Sequence, residues 1–319
     1  MRVRNINSAR ALVGAILLGI LAFVLLVQYA PDSVAFSPNN YGWNGLQGVA
    51  SAYNVNFTTS LSGLPTDGVL AVLQPAINYS SADAIDVKDY LFAGGTVLVA
   101  DKSGVANSLL QGVGSGISIE SQFSIGDPVY NWRAKTVPTA LVLPGAANRA
   151  PFASNVSGLA LSQPSPLALG NSGAVQVAVS SQFSEVQGGT MGPFTVVASE
   201  RMGNGVLIVV GDSQFLLNSE WTIASNRVLI GNLFANKIVF IDASHWSSSP
   251  LMSSTAQVKA ELRQTYAILT AVPMRYAFTA GLVLLGLVLV PSRGRKETVV
   301  PDEERSVSIR PFNGKREGS

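Results

Sequence analysis

Hydrophobic and polar positions follow three rhythms along this chain. Ala11 to Val27 (ALVGAILLGILAFVLLV) and Tyr276 to Val290 (YAFTAGLVLLGLVLV) are apolar runs without a charge. At about 1.5 Å per residue such runs approach the ~30 Å hydrocarbon core of a bilayer, so each is expected to be a spanning helix. The first exceeds a signal-peptide h-region, and Tyr29-Ala30-Pro31 offers no A-x-A cleavage site. The second is short, and Arg275 and Tyr276 lengthen its usable span by snorkelling and by sitting at the interface.

Between these runs, short continuous apolar segments alternate with helix-like ones. Strands are expected at Ser33 to Phe36, Val55 to Thr58, Gly68 to Leu73, Thr96 to Ala100 and Ile238 to Ile241; the GVLAVL and TVLVA runs have the composition of strands buried on both faces. Helices are expected at Trp43 to Tyr53, from the cap candidates Ser80-Ser81-Ala82-Asp83 to Phe92 before Gly94-Gly95, at Val105 to Val113 and at Asn226 to Asn236. Residues 68–100 thus read as a β-α-β crossover. Phe194 to Ser199 and Gly205 to Val210 read as a hairpin turning at Gly203-Asn204. The third rhythm is helical: Val258, Leu262, Tyr266 and Leu269 recur opposite Lys259, Glu261 and Arg263, an amphipathic connector.

The expected organisation is a cytoplasmic N-terminus (1–10), a first membrane helix (11–30) and an extracytoplasmic α/β domain (31–252) with an irregular, partly β insertion at about 115–192. A juxtamembrane helix (253–273), a second membrane helix (274–291) and a disordered cytoplasmic tail (292–319) follow. Orientation rests on Arg2, Arg4 and Arg10 before the first run and Arg293, Arg295 and Lys296 after the second. From 31 to 270, ten basic residues face fourteen acidic ones, so the basic excess sits in the tails and nucleic acid is not expected as a partner. Three sequons, at Asn56, Asn78 and Asn155, fall in the same central segment.

Composition narrows the chemistry. Hydrophobic residues make up 47% and charged ones 13% of the 319, and the mean hydropathy is +0.32, which fits a membrane protein. There is no cysteine and one histidine, His245, so no thiolate nucleophile, disulfide or multi-histidine metal centre is expected, and no cofactor. A Ser-His hydrolase would need His245 beside Ser213 or Ser103, neither of which sits in G-x-S-x-G.

In an open parallel sheet ligands bind beyond the carboxyl ends of the strands. The candidate ligand-binding residues there are Asn39, Asn40, Tyr41, Gln74, Asp101, Asp212 and Ser213. The same residue types also cap helices and close turns, and Asp212 has two such roles open to it, capping the next turn or pairing with Arg227. His245, Trp246 and Arg275 are candidate interfacial residues.

The stretches Phe36-Ser37-Pro38-Asn39-Asn40-Tyr41-Gly42-Trp43-Asn44-Gly45, Phe92-Ala93-Gly94-Gly95-Thr96 and Gly211-Asp212-Ser213-Gln214-Phe215, with Asn218, Asn226-Arg227 and His245-Trp246, resemble the membrane-anchored proteins of domain-of-unknown-function family 4350. The resemblance implies a flavodoxin-like, class I glutamine-amidotransferase-like domain: a mainly parallel sheet with helices on both faces, similar to auxiliary proteins of gliding-motility ABC transporters. It also implies ATPase, transporter or transglutaminase-like membrane partners. Amidotransferases of this class use a cysteine nucleophile, so that activity is excluded here. The expectation is a non-enzymatic sensing, scaffold or assembly module at the membrane. The alternatives are a ligand-binding accessory subunit of an ABC-type transporter and, third, a residual serine-type hydrolase.

Overall fold

The computed structural model describes residues 14, 15, 17–19, 22, 35–38, 40–170 and 173–246. The few described positions of the first apolar run are helical, and no helix among the described residues is long and apolar enough to cross a membrane. The second apolar run with Arg275, the 253–273 connector and the 292–319 tail lie outside the described residues.

The central chain forms a nine-stranded sheet with helices on both faces. Its strands are β1 (Asn54–Thr58), β2 (Val69–Leu73), β3 (Thr96–Ala100), β6 (Thr139–Val142), β7 (Gly158–Ala160), β9 (Val175–Val179), β11 (Thr195–Met202), β12 (Gly205–Val210) and β13 (Ile238–Asp242), in the order β1-β13-β2-β3-β12-β11-β9-β6-β7. The four junctions from β1 to β12 are parallel and the four from β12 to β7 antiparallel. A mainly parallel sheet is therefore realised in one half only. The cause is local: Gly203-Asn204 joins β11 to β12 as a tight hairpin, which commits every strand beyond it to meander pairing.

Two apolar layers sandwich the parallel half, and strand alternation sorts residues between them. Val69, Ala71, Leu73, Leu98, Ile208 and Val210 face α1 (Gln47–Ala52) and α5 (Asn226–Phe234). Leu70, Val72, Val97, Val99, Leu207 and Val209 face α2 (Ser81–Phe92) and α3 (Asn107–Val113). Helix α2 begins with a capping box in which Ser80 and Asp83 satisfy each other's backbone N–H. Burial of Ala84, Val87 and Leu91 then sets its inner face.

Differences from the sequence expectation have physical reasons. Residues 35 and 36 form a turn, because the Phe36 N–H closes back on Asn44 O. The helix expected from Trp43 starts only at Gln47, since residues 40–46 are tied down by side-chain bonds described below. The 115–192 stretch is partly β, as expected, but its strands β6, β7 and β9 extend the main sheet. It also contributes two small pairs, β4 (Ile117–Ile119) with β8 (Leu167–Leu169) and β5 (Ile125–Gly126) with β10 (Glu185–Val186), and the short helix α4 (Ala146–Arg149).

Candidate functional site

Parallel neighbours end at the same edge, so the residues leaving β13, β2, β3 and β12 stand in a row: Asp242, Gln74, Asp101 and Asp212-Ser213. Three of the four strands thus finish on a buried aspartate. Each carboxylate is used by its own loop. Asp101 accepts the Ser103 N–H (2.7 Å), the Ser103 hydroxyl (2.6 Å) and the Ala106 N–H (3.0 Å), which turns the chain toward α3. Asp212 accepts the Gln214 N–H at 2.9 Å and, across the edge, the Ser162 N–H at 2.8 Å. The Ser162–Ser165 loop bridges the ends of β3 and β12, with Ser165 N bonded to Gly211 O (2.8 Å) and Lys102 Nζ 3.4 Å from Ser162 O. Gln74 is held at a φ of 42° and accepts the Ser213 hydroxyl at 2.5 Å.

Beside Asp212 lies Glu220, whose Oε2 is buried with no hydrogen-bond partner among the described residues. Burial raises both acids. Asp212 is pushed up to about 6 by desolvation, against the opposing pull of its backbone donors and Lys102. Glu220 is pushed up to about 7 by desolvation and then by the Asp212 charge, with Lys102 and Ser162 opposing. Of the two roles open to Asp212, capping is realised, while Arg227 stacks over the Trp221 ring at 5.5 Å.

The β13 end forms a second knot. Asp242 accepts the Ser244 N–H and hydroxyl on one oxygen and, on the other, the Tyr79 hydroxyl at 2.5 Å and His245 Nδ1 at 2.7 Å. His245 Nε2 is 3.4 Å from Asp83 Oδ2, and the imidazole stacks on Tyr79 with centroids 3.7 Å apart. Partial burial works to raise the Asp83 carboxyl, but hydrogen bonds from Ser80 and the His245 contact hold it below the ordinary range. Burial and the adjacent Asp242 charge push the Tyr79 phenol far up. Both imidazole nitrogens of His245 thus face carboxylates, while Ser213 bonds Gln74 and Ser103 bonds Asp101. Among the described residues neither Ser213 nor Ser103 bonds His245; the serine that does is its chain neighbour Ser244, whose hydroxyl lies 2.9 Å from Nδ1 and also donates to Asp242. Of the two candidate interfacial residues described, His245 is buried, and Trp246 donates its indole N–H to Leu73 O at 2.8 Å with its ring against Phe36 and Phe57.

The 40–48 loop is a separate structure. Asn40 accepts the Gly42 N–H and donates to Asn44 Oδ1, and Asn218 knits the loop to the core. Its amide donates to Asn40 O (2.9 Å) and Gly42 O (2.7 Å) and accepts the Gly48 N–H (2.8 Å). The loop is fixed, yet Tyr41 and Trp43 remain 75% and 70% exposed. Asn39 lies outside the described residues, and the sequon residues Asn56, Asn78 and Asn155 are all exposed.

The structure therefore joins Gln74 to Ser213 and links Asp101 to Asp212 through the Ser162–Ser165 loop, and it assigns Asn40 and Tyr41 to another surface. Sequence reasoning left out Glu220, Tyr79 and Asp242, placed Lys102 at the strand end without a partner, and gave Asp83 only as a helix cap. Asp242 had a signal, since Phe-Ile-Asp repeats the pattern of an apolar strand ending in aspartate seen at Asp101 and Asp212.

No curated protein matches the chain. Among solved structures it is similar to the mmIFT52 N-terminal domain (17% identity over 57% of this chain and 76% of that one, TM-score 0.39). Others are a Bacillus circulans sp. alkalophilus beta-galactosidase (15% identity, 54% of this chain but 22% of that one, TM-score 0.27) and the cytoplasmic protein STM1381 of Salmonella typhimurium LT2 (11% identity, 60% and 80%, TM-score 0.30). The profile of the family described as domain of unknown function (DUF4350) matches residues 35–234, which include the 40–48 loop, the β2-α2-β3 unit, the Asp212 edge and α5, and the chain belongs to that family.

Proposed function

We propose that this protein is a non-enzymatic assembly module, a cysteine-free glutamine-amidotransferase-like, flavodoxin-like domain held at a membrane by the 11–27 and 276–290 runs. The observation that carries this reading is the 40–48 loop: Asn218 immobilises its backbone while Tyr41 and Trp43 stand in solvent. Rigid exposed aromatic side chains lose little entropy on docking and are the common anchors of protein interfaces. The carboxyl-edge acids support the same reading, because Asp101, Asp212 and Asp242 spend their oxygens on their own loops and on Tyr79 and His245. The partners fitting this role are the ATPase, transporter or transglutaminase-like membrane proteins that the family resemblance implies.

The test is recovery of the full-length protein from its native membrane in mild detergent, compared with a Tyr41→Ala/Trp43→Ala variant. The reading expects one such partner in near-stoichiometric amount with the wild type and its loss with the variant at unchanged melting temperature. Substrate turnover by the purified protein that disappears in Asp212→Ala or His245→Ala would overturn it.

A further inference from the structure

At the opposite edge of the sheet, by the amino ends of β3 and β12, a cleft of about 470 Å³ opens between the sheet, α4 with the turn that follows it, and α5. Its charged lining is Arg149, Arg201 and Lys237, with no carboxylate. The surrounding segment from 31 to 270 has ten basic residues against fourteen acidic ones, so the cleft inverts the local sign. Among the described residues none of the three cations has a carboxylate partner. Among the described residues, the nitrogen–carboxylate contacts within 4.0 Å are those His245 makes with Asp83 and Asp242. Lys237 also borders a neighbouring hollow containing Asp67, again without an ion pair.

The placement of Arg201 follows from strand alternation. Glu200 turns to the other face, where its Oε2 takes the Ser115 hydroxyl at 2.7 Å and the Gly116 N–H at 3.1 Å. Arg201 is the one exposed position of β11. The remaining lining divides by chemistry: Phe152 and Ile208 close the floor as buried core residues, and Asn232 is fixed by donating its amide to Phe152 O and Ser154 O.

Three like charges in one cleft repel each other unless an anion supplies the counter-charge. Guanidinium forks match the oxygens of phosphate in bidentate fashion, and a lysine adds a compact point charge. We propose that this cleft binds a phosphate-bearing ligand, its phosphate held by Arg149, Arg201 and Lys237. A soluble phosphoester and a lipid headgroup share this chemistry. The site has no residue in common with the 40–48 loop, so it stands or falls independently of the assembly role.

The experiment uses the full-length protein in detergent at low salt, with two probes. Inorganic pyrophosphate is titrated calorimetrically, and phosphatidate is compared with phosphatidylcholine by native mass spectrometry. Saturable binding of pyrophosphate, weakened at least tenfold in Arg149→Gln and in Arg201→Gln and unchanged in the distant Arg133→Gln, is the expected result for a soluble ligand. Retention of phosphatidate alone, with the same variant pattern, places the phosphate on a lipid. Both arginines are exposed, and melting curves check that the variants fold. Absence of binding in both arms, or binding indifferent to Arg149 and Arg201 in variants that fold, overturns the proposal.

Discussion

The side chain of Asn218 reaches the carbonyl of Asn40 across 178 positions of sequence and 2.9 Å of space. The same side chain bonds Gly42 O and Gly48 N, and the backbone N–H of Asn218 donates to Gly45 O at 2.8 Å. The turn before α1 thus draws its shape from a residue far along the chain. Asn218→Ala removes three side-chain hydrogen bonds, at a net ~1 kcal/mol each, and is expected to cost about 2–3 kcal/mol in denaturant unfolding. Asn218→Asp keeps the acceptor for Gly48 and sets an anion against two carbonyls, so it is expected to be no better. Faster hydrogen exchange at Gly45 and Gly48 is the local signature to measure.

Asp212 and Glu220 make a prediction about pH. A carboxyl whose folded pKa is raised binds more protons folded than unfolded, so its contribution to stability is fully present below the unfolded value. That contribution is lost as pH rises through the folded one. With folded values of about 6 and about 7, the window runs from roughly pH 4 to 7, given an ordinary carboxyl near 4. Stability should rise as pH falls from 8 to 5, with a slope of at most about 1.4 kcal/mol per pH unit per proton. Melting curves of Glu220→Gln should be flatter over that range and higher at pH 8. A wild-type melting temperature that falls between pH 8 and 5 while the Glu220→Gln curve matches it would remove these acids as the cause.

How much of this was readable in advance follows the range of the interactions. The strands of the parallel half, helix α2 with its Ser80–Asp83 cap, and the Gly203-Asn204 hairpin rest on local pattern, and each lies within a residue or a few of its expected position. Strands β9, β6 and β7 were read only as part of a partly β insertion; that they continue the main sheet was not legible, because they are three to five residues long and β9 pairs with β6 and β11, neither adjacent to it in sequence. The strand-end acids Asp101 and Asp212 were found by type, but their bonding was not. Ser162 and Lys102, which join them, have no sequence signature that places them beside β12. The cationic cleft was invisible for the same reason: Arg149, Arg201 and Lys237 come from three distant elements.

Gly211 offers a steric test of the edge. A Cβ there would overlap the backbone carbonyl of Ser165, which cannot rotate away, because Ser165 N is itself bonded to Gly211 O. Gly211→Ala is expected to cost about 1–3 kcal/mol, as overpacking against fixed backbone does. Gly173, with nothing within 4 Å of the corresponding position, is the matched control, and Gly173→Ala should lie within about 0.5 kcal/mol of wild type. Equal stability of the two variants would mean that the Ser162–Ser165 loop yields, and that the Asp212 geometry is softer than its bonds indicate.

The Tyr79–Asp242–His245 knot is best tested as a coupling. Tyr79 and His245 share one oxygen of Asp242 and stack on each other, so removing either changes what the other contributes. Tyr79→Phe deletes a hydroxyl from a buried carboxylate and should cost about 1.5–3 kcal/mol, the range for hydrogen bonds to charged groups. His245→Ala removes the stacking partner as well, and should cost more. Because the two side chains act on one carboxylate, the double variant is expected to be less destabilised than the sum of the singles, by about 0.5–3 kcal/mol in a double-mutant cycle. Strict additivity would mean that the two bonds to Asp242 are independent. His245 would then hold the end of β13 through its other contacts: its backbone carbonyl bound to the N–H groups of Ala76 and Ile77, and its ring facing Asp83.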